Sequence, residues 1–121
     1  MQMNLFEISW LMFAAGASGG ALLAILGRAK KRYPRWLAIG HGMLGLAACG
    51  VLATAIFVGD GSGDRRARVA LALLIATLVG GATLFGWLGI RRFRLPLALG
   101  HGAVAVTGLY LLYGAAFGSA T

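Results

Sequence analysis

Four long stretches without a charged residue constrain this chain more than any other feature of its sequence. A helix rises about 1.5 Å per residue, so about 20 residues cross the hydrocarbon core of a bilayer. The stretches contain 20, 24, 22 and 27 residues and occupy residues 8–27, 36–59, 69–90 and 95–121. We therefore predict an all-α integral membrane four-helix bundle. The predicted spans cover residues 5–27, 36–59, 69–90 and 95–117.

The charged residues are few and are confined to the short connections between these stretches. Of 121 residues, 60% are hydrophobic and 12% are charged, whereas average globular domains are about a quarter charged. The formal net charge of +8 does not indicate nucleic acid, because such binding needs an exposed polar surface. The composition excludes a soluble enzyme, a disordered tail and a nucleic-acid-binding module. The predicted partner is a lipid bilayer, with residues 1–121 as one domain.

The basic residues also predict how the chain is oriented in the membrane. Residues 28–35 contain five Lys or Arg and residues 91–94 contain three, while the three Arg of residues 60–68 are diluted by two Asp. Basic connections stay in the cytoplasm, so residues 28–35 and 91–94 are predicted to be cytoplasmic and both termini periplasmic. Residues 1–7 lack the basic start of a cleaved signal, and the first helix is predicted to be retained. The Ala-, Gly- and Arg-rich composition fits a bacterial inner membrane.

The two halves of the chain repeat one another. Residues 18–42 read SGGALLAILGRAKKRYPRWLAIGHG, and residues 79–102 read VGGATLFGWLGIRRFRLPLALGHG. Each contains Gly-Gly-Ala, a basic turn with a proline, and Gly-His-Gly. The repeat covers about residues 18–58 and 79–118. Because its unit is two helices, the copies are predicted to be parallel-repeat helical hairpins.

This repeat places two histidines at one depth in the membrane. His41 lies six residues after Arg35, and His101 lies seven residues after Arg94. Both imidazoles are therefore predicted about 10 Å beyond a basic connection, on helices that run in the same direction. Polar side chains deep in a span are candidates for function because they are costly there.

Small residues lie on the same helix faces as the histidines. Gly45 follows His41 by one turn, and Gly108 follows His101 by two turns. These positions give the clearance that a flat ring system between two helices needs, although tight helix packing also uses small residues. Apart from Glu7 at the edge of the first, no Asp, Glu, Lys or Arg lies within a predicted span. Proton-coupled transport and hydrolysis are therefore disfavoured, and a stand-alone catalyst is not expected.

The paired histidines have three interpretations. Two imidazoles on facing helices can be the axial ligands of one haem iron, with Arg35 and Arg94 on the side where the propionates emerge. A divalent metal ion would need three or four protein ligands, and Met43 and Cys49 do not share the face of His41. In the third interpretation, each histidine donates to a backbone carbonyl or a threonine and holds the bundle together.

The architecture resembles that of small four-helix membrane b-type cytochromes, on the basis of four spans and the paired Gly-His-Gly sequences. The resemblance implies one haem b held by His41 and His101, because this chain lacks the second histidine on each ligand helix that two-haem families have. It also implies a quinone or a redox partner subunit. Tyr110 and Tyr113 are candidates to border such a partner in the outer leaflet.

A different class of function fits the same composition. The small size and the Gly- and Ala-rich helix faces are also typical of a cofactor-free accessory or assembly subunit of a larger inner-membrane complex, respiratory or photosynthetic, or of a homo-oligomer. The two hypotheses differ in whether a pigment depends on His41 and His101.

Overall fold

The described part of the chain folds into four helices, as the sequence predicts. The computed structural model describes residues 2–29, 35–59, 64–85 and 95–118. The helices are α1 (Leu5–Arg28), α2 (Arg35–Phe57), α3 (Arg65–Leu84) and α4 (Leu95–Phe117). Each is long and apolar enough to cross a membrane, and no strand occurs among the described residues. The all-α fold is confirmed, and the protein is a multi-pass membrane protein.

Two polar caps set the starts of α1 and α3. The side chain of Asn4 accepts a hydrogen bond from the backbone N–H of Glu7 (2.9 Å), and the Glu7 carboxylate accepts one from the backbone N–H of Asn4 (3.0 Å). This reciprocal arrangement satisfies two N–H groups that have no partner within the helix. Asp64 caps α3 by accepting from the N–H groups of Arg66 and Ala67. Helix α3 therefore begins at Arg65, four residues before the predicted span.

The helices form a ring in which each packs against two neighbours. Helix α1 contacts α2 and α4, and α3 contacts the same two helices. Helices α2 and α4 therefore face each other across one diagonal of the bundle, which is the arrangement that parallel hairpins require. Side chains on the inner faces of α2 and α4 therefore meet in the middle of the bundle, with α1 on one side and α3 on the other.

The buried core occupies one half of the bundle, toward the termini and the connection between α2 and α3. Its largest fully buried side chains are those of Ser9, Leu52, Ile56 and Leu112. The hydroxyl of Ser9 donates to the carbonyl oxygen of Ala48 (3.1 Å) and joins α1 to α2.

The other half contains the histidines, and we call it the histidine half. It comprises residues 17–29, 35–47, 75–85 and 95–107. None of these residues is buried, among those that the structure describes. The bundle is thus tightly packed at one end and more open at the end with the histidines.

Candidate functional site

The bundle brings His41 and His101 together across its diagonal. Their ring centroids are 6.2 Å apart, and the ring planes meet at 69°. His41 projects from α2 and His101 from α4, so the contact joins the two hairpins of the repeat. Both side chains are half-buried. The structure therefore places the two predicted residues in one site.

One ring nitrogen of His41 is fixed by the backbone of α1. Its Nδ1 lies 2.9 Å from the carbonyl oxygen of Gly16. A carbonyl oxygen can only accept, so Nδ1 must carry the hydrogen of the neutral imidazole. The lone pair is then on Nε2, which is the arrangement of a metal-binding histidine oriented by a backbone carbonyl.

The corresponding nitrogen of His101 has no such partner. Its Nδ1 is buried, and no hydrogen-bonding group among the described residues reaches it. The residue that corresponds to Gly16 in the second hairpin is Thr77, 61 positions later, as Gly80 and Gly81 follow Gly19 and Gly20. The backbone of Thr77 approaches His101 as a hydrogen-bonding group, but outside the geometry that the His41–Gly16 bond meets. Buried polar atoms are normally paired, so this one requires an explanation.

Two glycines make room for the imidazole rings. A Cβ atom at Gly20 would lie 2.9 Å from Cε1 of His41, and one at Gly81 would lie 3.2 Å from Cε1 of His101. Carbon atoms normally make contact at about 3.5–4.0 Å. A side chain at either position would therefore occupy space that a ring uses. The sequence reasoning did not assign these glycines to the site, although the repeated Gly-Gly-Ala was the signal for them.

Gly45 and Gly108, which are predicted to leave room for a cofactor, lie against leucines of α3. A Cβ atom at Gly45 would lie 3.2 Å from Leu78, and one at Gly108 would lie 3.0 Å from Leu74. Both contacts involve side-chain carbons. In this packing, leucines fill the space next to the two glycines.

The glycines of the two Gly-His-Gly sequences point away from the bundle. They are Gly40, Gly42, Gly100 and Gly102. A Cβ atom at any of them would meet nothing within 4 Å in the described part of the chain. Since glycine in a helix interior costs about 0.5–1 kcal/mol relative to alanine, packing among the described residues does not account for them.

Of the two arginines predicted near the propionates, one lies among the described residues. Arg35 is the first residue of α2 and is exposed at the end of the histidine half. Arg94 lies outside the described residues. Trp36 follows Arg35, with 72% of its surface exposed, as expected for a residue at a membrane interface.

Two clefts open on the outside of the bundle. The first, of about 260 Å³, runs between α1 and α2 and has His41 in its wall. Its lining residues are Ala15, Gly16, Gly19, Trp36, Leu37, Gly40, His41 and Leu44. The second, of about 250 Å³, is lined by Trp10, Val106, Leu109, Tyr110 and Tyr113. Both are smaller than the roughly 300–1,000 Å³ of typical ligand sites.

The donor set of the site consists of two imidazoles. Within the described ranges, no three His, Cys, Asp or Glu side chains come together in a way that could hold a metal ion. Zinc sites use at least three protein ligands, whereas haem iron takes four ligands from its macrocycle and needs only two from the protein. The available donors therefore suit a haem better than a bare zinc ion.

No family model, curated protein or solved structure matches this chain.

Proposed function

We propose that this protein is a membrane-embedded electron-transfer protein that holds one haem b between α2 and α4. His41 and His101 would be its axial ligands. The observation that carries the proposal is the 6.2 Å separation of their ring centroids. Metal–imidazole bonds are about 2 Å long, so two imidazoles on opposite sides of one metal ion have centroids about 6 Å apart.

The packing around the pair also supports the proposal. Gly20 and Gly81 clear the ring edges on α1 and α3, and the histidine half contains no buried residue among those described. A macrocycle would need more room than the present packing leaves, because the side chains of Leu78 and Leu74 occupy the space next to Gly45 and Gly108.

The proposed haem would also need cationic side chains and a partner that exchanges electrons with it. Haem supplies a reversible one-electron couple, and its two propionates need cationic partners. Arg35 is exposed at the appropriate end of α2, and we propose the same role for Arg94. A quinone or a redox subunit would exchange electrons with the protein. We propose a bacterial inner membrane, periplasmic termini, and cytoplasmic connections at residues 28–35 and 91–94.

Visible spectroscopy of the detergent-purified protein tests the proposal. The dithionite-reduced protein should show a sharp α-band, and a pyridine haemochrome assay should give one haem b per chain. His41→Ala and His101→Ala should each remove the low-spin six-coordinate spectrum, and the double variant should remove the pigment. Thr54→Val and Thr107→Val are matched controls, because both hydroxyls are exposed and bond only to their own helix. A protein that stays colourless after expression with added haem contradicts the proposal.

A second candidate is a cofactor-free accessory or assembly subunit of a larger inner-membrane complex. It is favoured by the open space at Gly40, Gly42, Gly100 and Gly102, where another transmembrane helix can approach closely. The affinity-purified protein would then be colourless and would retain stoichiometric partner subunits. Gly42→Ile should release those partners without changing the helix content. Purification of a pigmented protein without other subunits contradicts this candidate.

A further inference from the structure

We propose that the bundle binds an anionic phospholipid at the end where α3 begins and α4 ends. Arg66 holds the phosphate of the headgroup, and one acyl chain lies in the cleft on the outside of the bundle between α1 and α4. This cleft, of about 250 Å³, is lined by Trp10, Val106, Leu109, Tyr110 and Tyr113. The proposal depends neither on the histidines nor on a cofactor.

The side chain of Arg66 lies along α4 at Gly114. A Cβ atom at Gly114 would be 3.2 Å from Nη1 and 3.6 Å from Cδ of Arg66, so a larger residue would take space that the arginine uses. Arg65 and Arg68 are also exposed, but a helix turns by about 100° per residue. They therefore point about 100° and 200° around α3 from Arg66, which is the one of the three that is placed against α4.

Packing of a hairpin does not require the contact between Arg66 and Gly114. The corresponding residues of the first hairpin are Leu5, 61 positions before Arg66, and Thr54, 60 positions before Gly114. The nearest carboxylate in sequence is that of Asp64, which accepts hydrogen bonds from two backbone N–H groups and so is engaged as the cap of α3. The guanidinium therefore suits an anion from outside the chain. A phosphate at a membrane surface can accept two parallel hydrogen bonds from it.

The depth of the cleft fits the acyl chain of a lipid whose phosphate lies at Arg66. Tyr113 and Val106 lie four and eleven residues before the end of α4, which is about 6 and 16 Å at about 1.5 Å per residue. The cleft therefore spans about one leaflet of a hydrocarbon core that is about 30 Å thick. Tyr110 lies one turn before Gly114 on the same face of α4, so the cleft and the guanidinium are on adjacent parts of one surface.

Aromatic contacts hold one wall of the cleft in place. The indole N–H of Trp10 donates to the carbonyl oxygen of Leu109 (3.2 Å). The indole also packs edge-on against Tyr113 and Phe117, with ring centroids 5.6 and 5.5 Å apart. A wall that is fixed before binding lowers the entropic cost of ordering a partner, so the cleft is preorganised for an apolar chain.

Quenching of Trp10 fluorescence by brominated lipids tests the proposal. Trp36→Phe and Trp87→Phe leave Trp10 as the only tryptophan, and this protein is reconstituted in phosphatidylcholine vesicles that contain a rising fraction of a brominated lipid. Brominated phosphatidylglycerol should quench at a fraction about fivefold lower than brominated phosphatidylcholine, since one basic residue contributes about this factor to binding of an anionic lipid. Equal quenching by the two lipids would overturn the proposal.

Two variants with the same net charge separate a defined site from general attraction to the bilayer. Arg66→Gln should abolish the preference for phosphatidylglycerol, whereas Arg65→Gln should retain most of it. Gly114→Leu should also abolish the preference with all three arginines present, because leucine would occupy the place of the Arg66 side chain. Equal losses in Arg65→Gln and Arg66→Gln would show diffuse attraction and overturn the site.

A measurement on the unsubstituted protein covers the case in which a variant fails to fold. Native mass spectrometry of the detergent-solubilised protein should show one phosphatidylglycerol retained per chain, about fivefold more than phosphatidylcholine at equal concentration. An excess of inorganic phosphate should leave the lipid bound. Displacement by phosphate would show that the site takes free phosphate, and would overturn the assignment to a lipid, as would equal retention of the two lipids.

Discussion

Alanine at Gly20 should displace the His41 ring from α1 and weaken the bundle. The added Cβ atom would lie 2.9 Å from Cε1, 3.4 Å from Nε2 and 3.6 Å from Nδ1 of His41. The ring cannot move away without lengthening its hydrogen bond to Gly16. The substitution therefore tests whether the ring occupies the place that the structure gives it.

The expected magnitude follows from three contributions. Overpacking of a close contact costs about 1–3 kcal/mol, and loss of the hydrogen bond to Gly16 costs about 1 kcal/mol. Alanine in place of a helical glycine contributes about 0.5–1 kcal/mol in the opposite direction. Gly19→Ala is the matched control, because its Cβ atom would be at an ordinary 3.8 Å from His41 Nδ1. The last of the three contributions is common to both variants and cancels, so Gly20→Ala should be about 2–4 kcal/mol less stable than Gly19→Ala.

The free energy of unfolding can be measured by titrating the apo-protein with SDS in mixed micelles and following its circular dichroism. If the clash with the ring is the cause, His41→Ala should suppress the difference between Gly20→Ala and Gly19→Ala. A double-mutant cycle gives this coupling directly. Equal stability of the two glycine variants, or a difference that persists without the imidazole, would refute the placement of the ring.

Two further substitutions test the packing of the bundle. Gly108→Ala should destabilise it by about 1–2 kcal/mol in the same SDS titration, because the new Cβ atom would lie 3.0 Å from Leu74. Gly100→Ala meets open space and should be neutral or stabilising, so a similar loss at both positions would contradict this account. Ser9→Ala should cost about 0.5–1.5 kcal/mol through the lost hydrogen bond to Ala48, and an unchanged unfolding midpoint would show that this bond contributes nothing.

The helical architecture could be predicted from the sequence because it depends on local properties. The uncharged stretches fix the number of spans. His41 and His101 follow a basic connection by nearly the same number of residues. Because a helix has a constant rise per residue, the sequence predicts that both lie at the same depth. Helix α3 begins four residues before the predicted span because the cap at Asp64 draws into the helix three arginines that hydropathy alone assigns to a connection.

The contacts between helices could not be predicted in the same way. The helical period places Gly45 and Gly108 on the histidine faces, but it does not say which neighbouring side chain fills the space beside them, and the leucines that do so come from α3. The placement of Gly20 beside His41 likewise depends on how far α1 slides along α2. Such a shift is decided by packing between helices and leaves no periodic signal in either helix.

The unequal packing of the two halves has a consequence for the order of assembly. Among the described residues, the fully buried side chains, such as Leu52 and Leu112, lie in the core half. Packing at this end therefore holds the four helices in their order. Regions with few buried contacts open locally at low free energy, and the histidine half is such a region. If the protein holds the proposed haem, the haem would therefore enter after the helices have assembled. Its binding would follow membrane insertion of the chain as a separate step, with the haem-free bundle as a stable precursor.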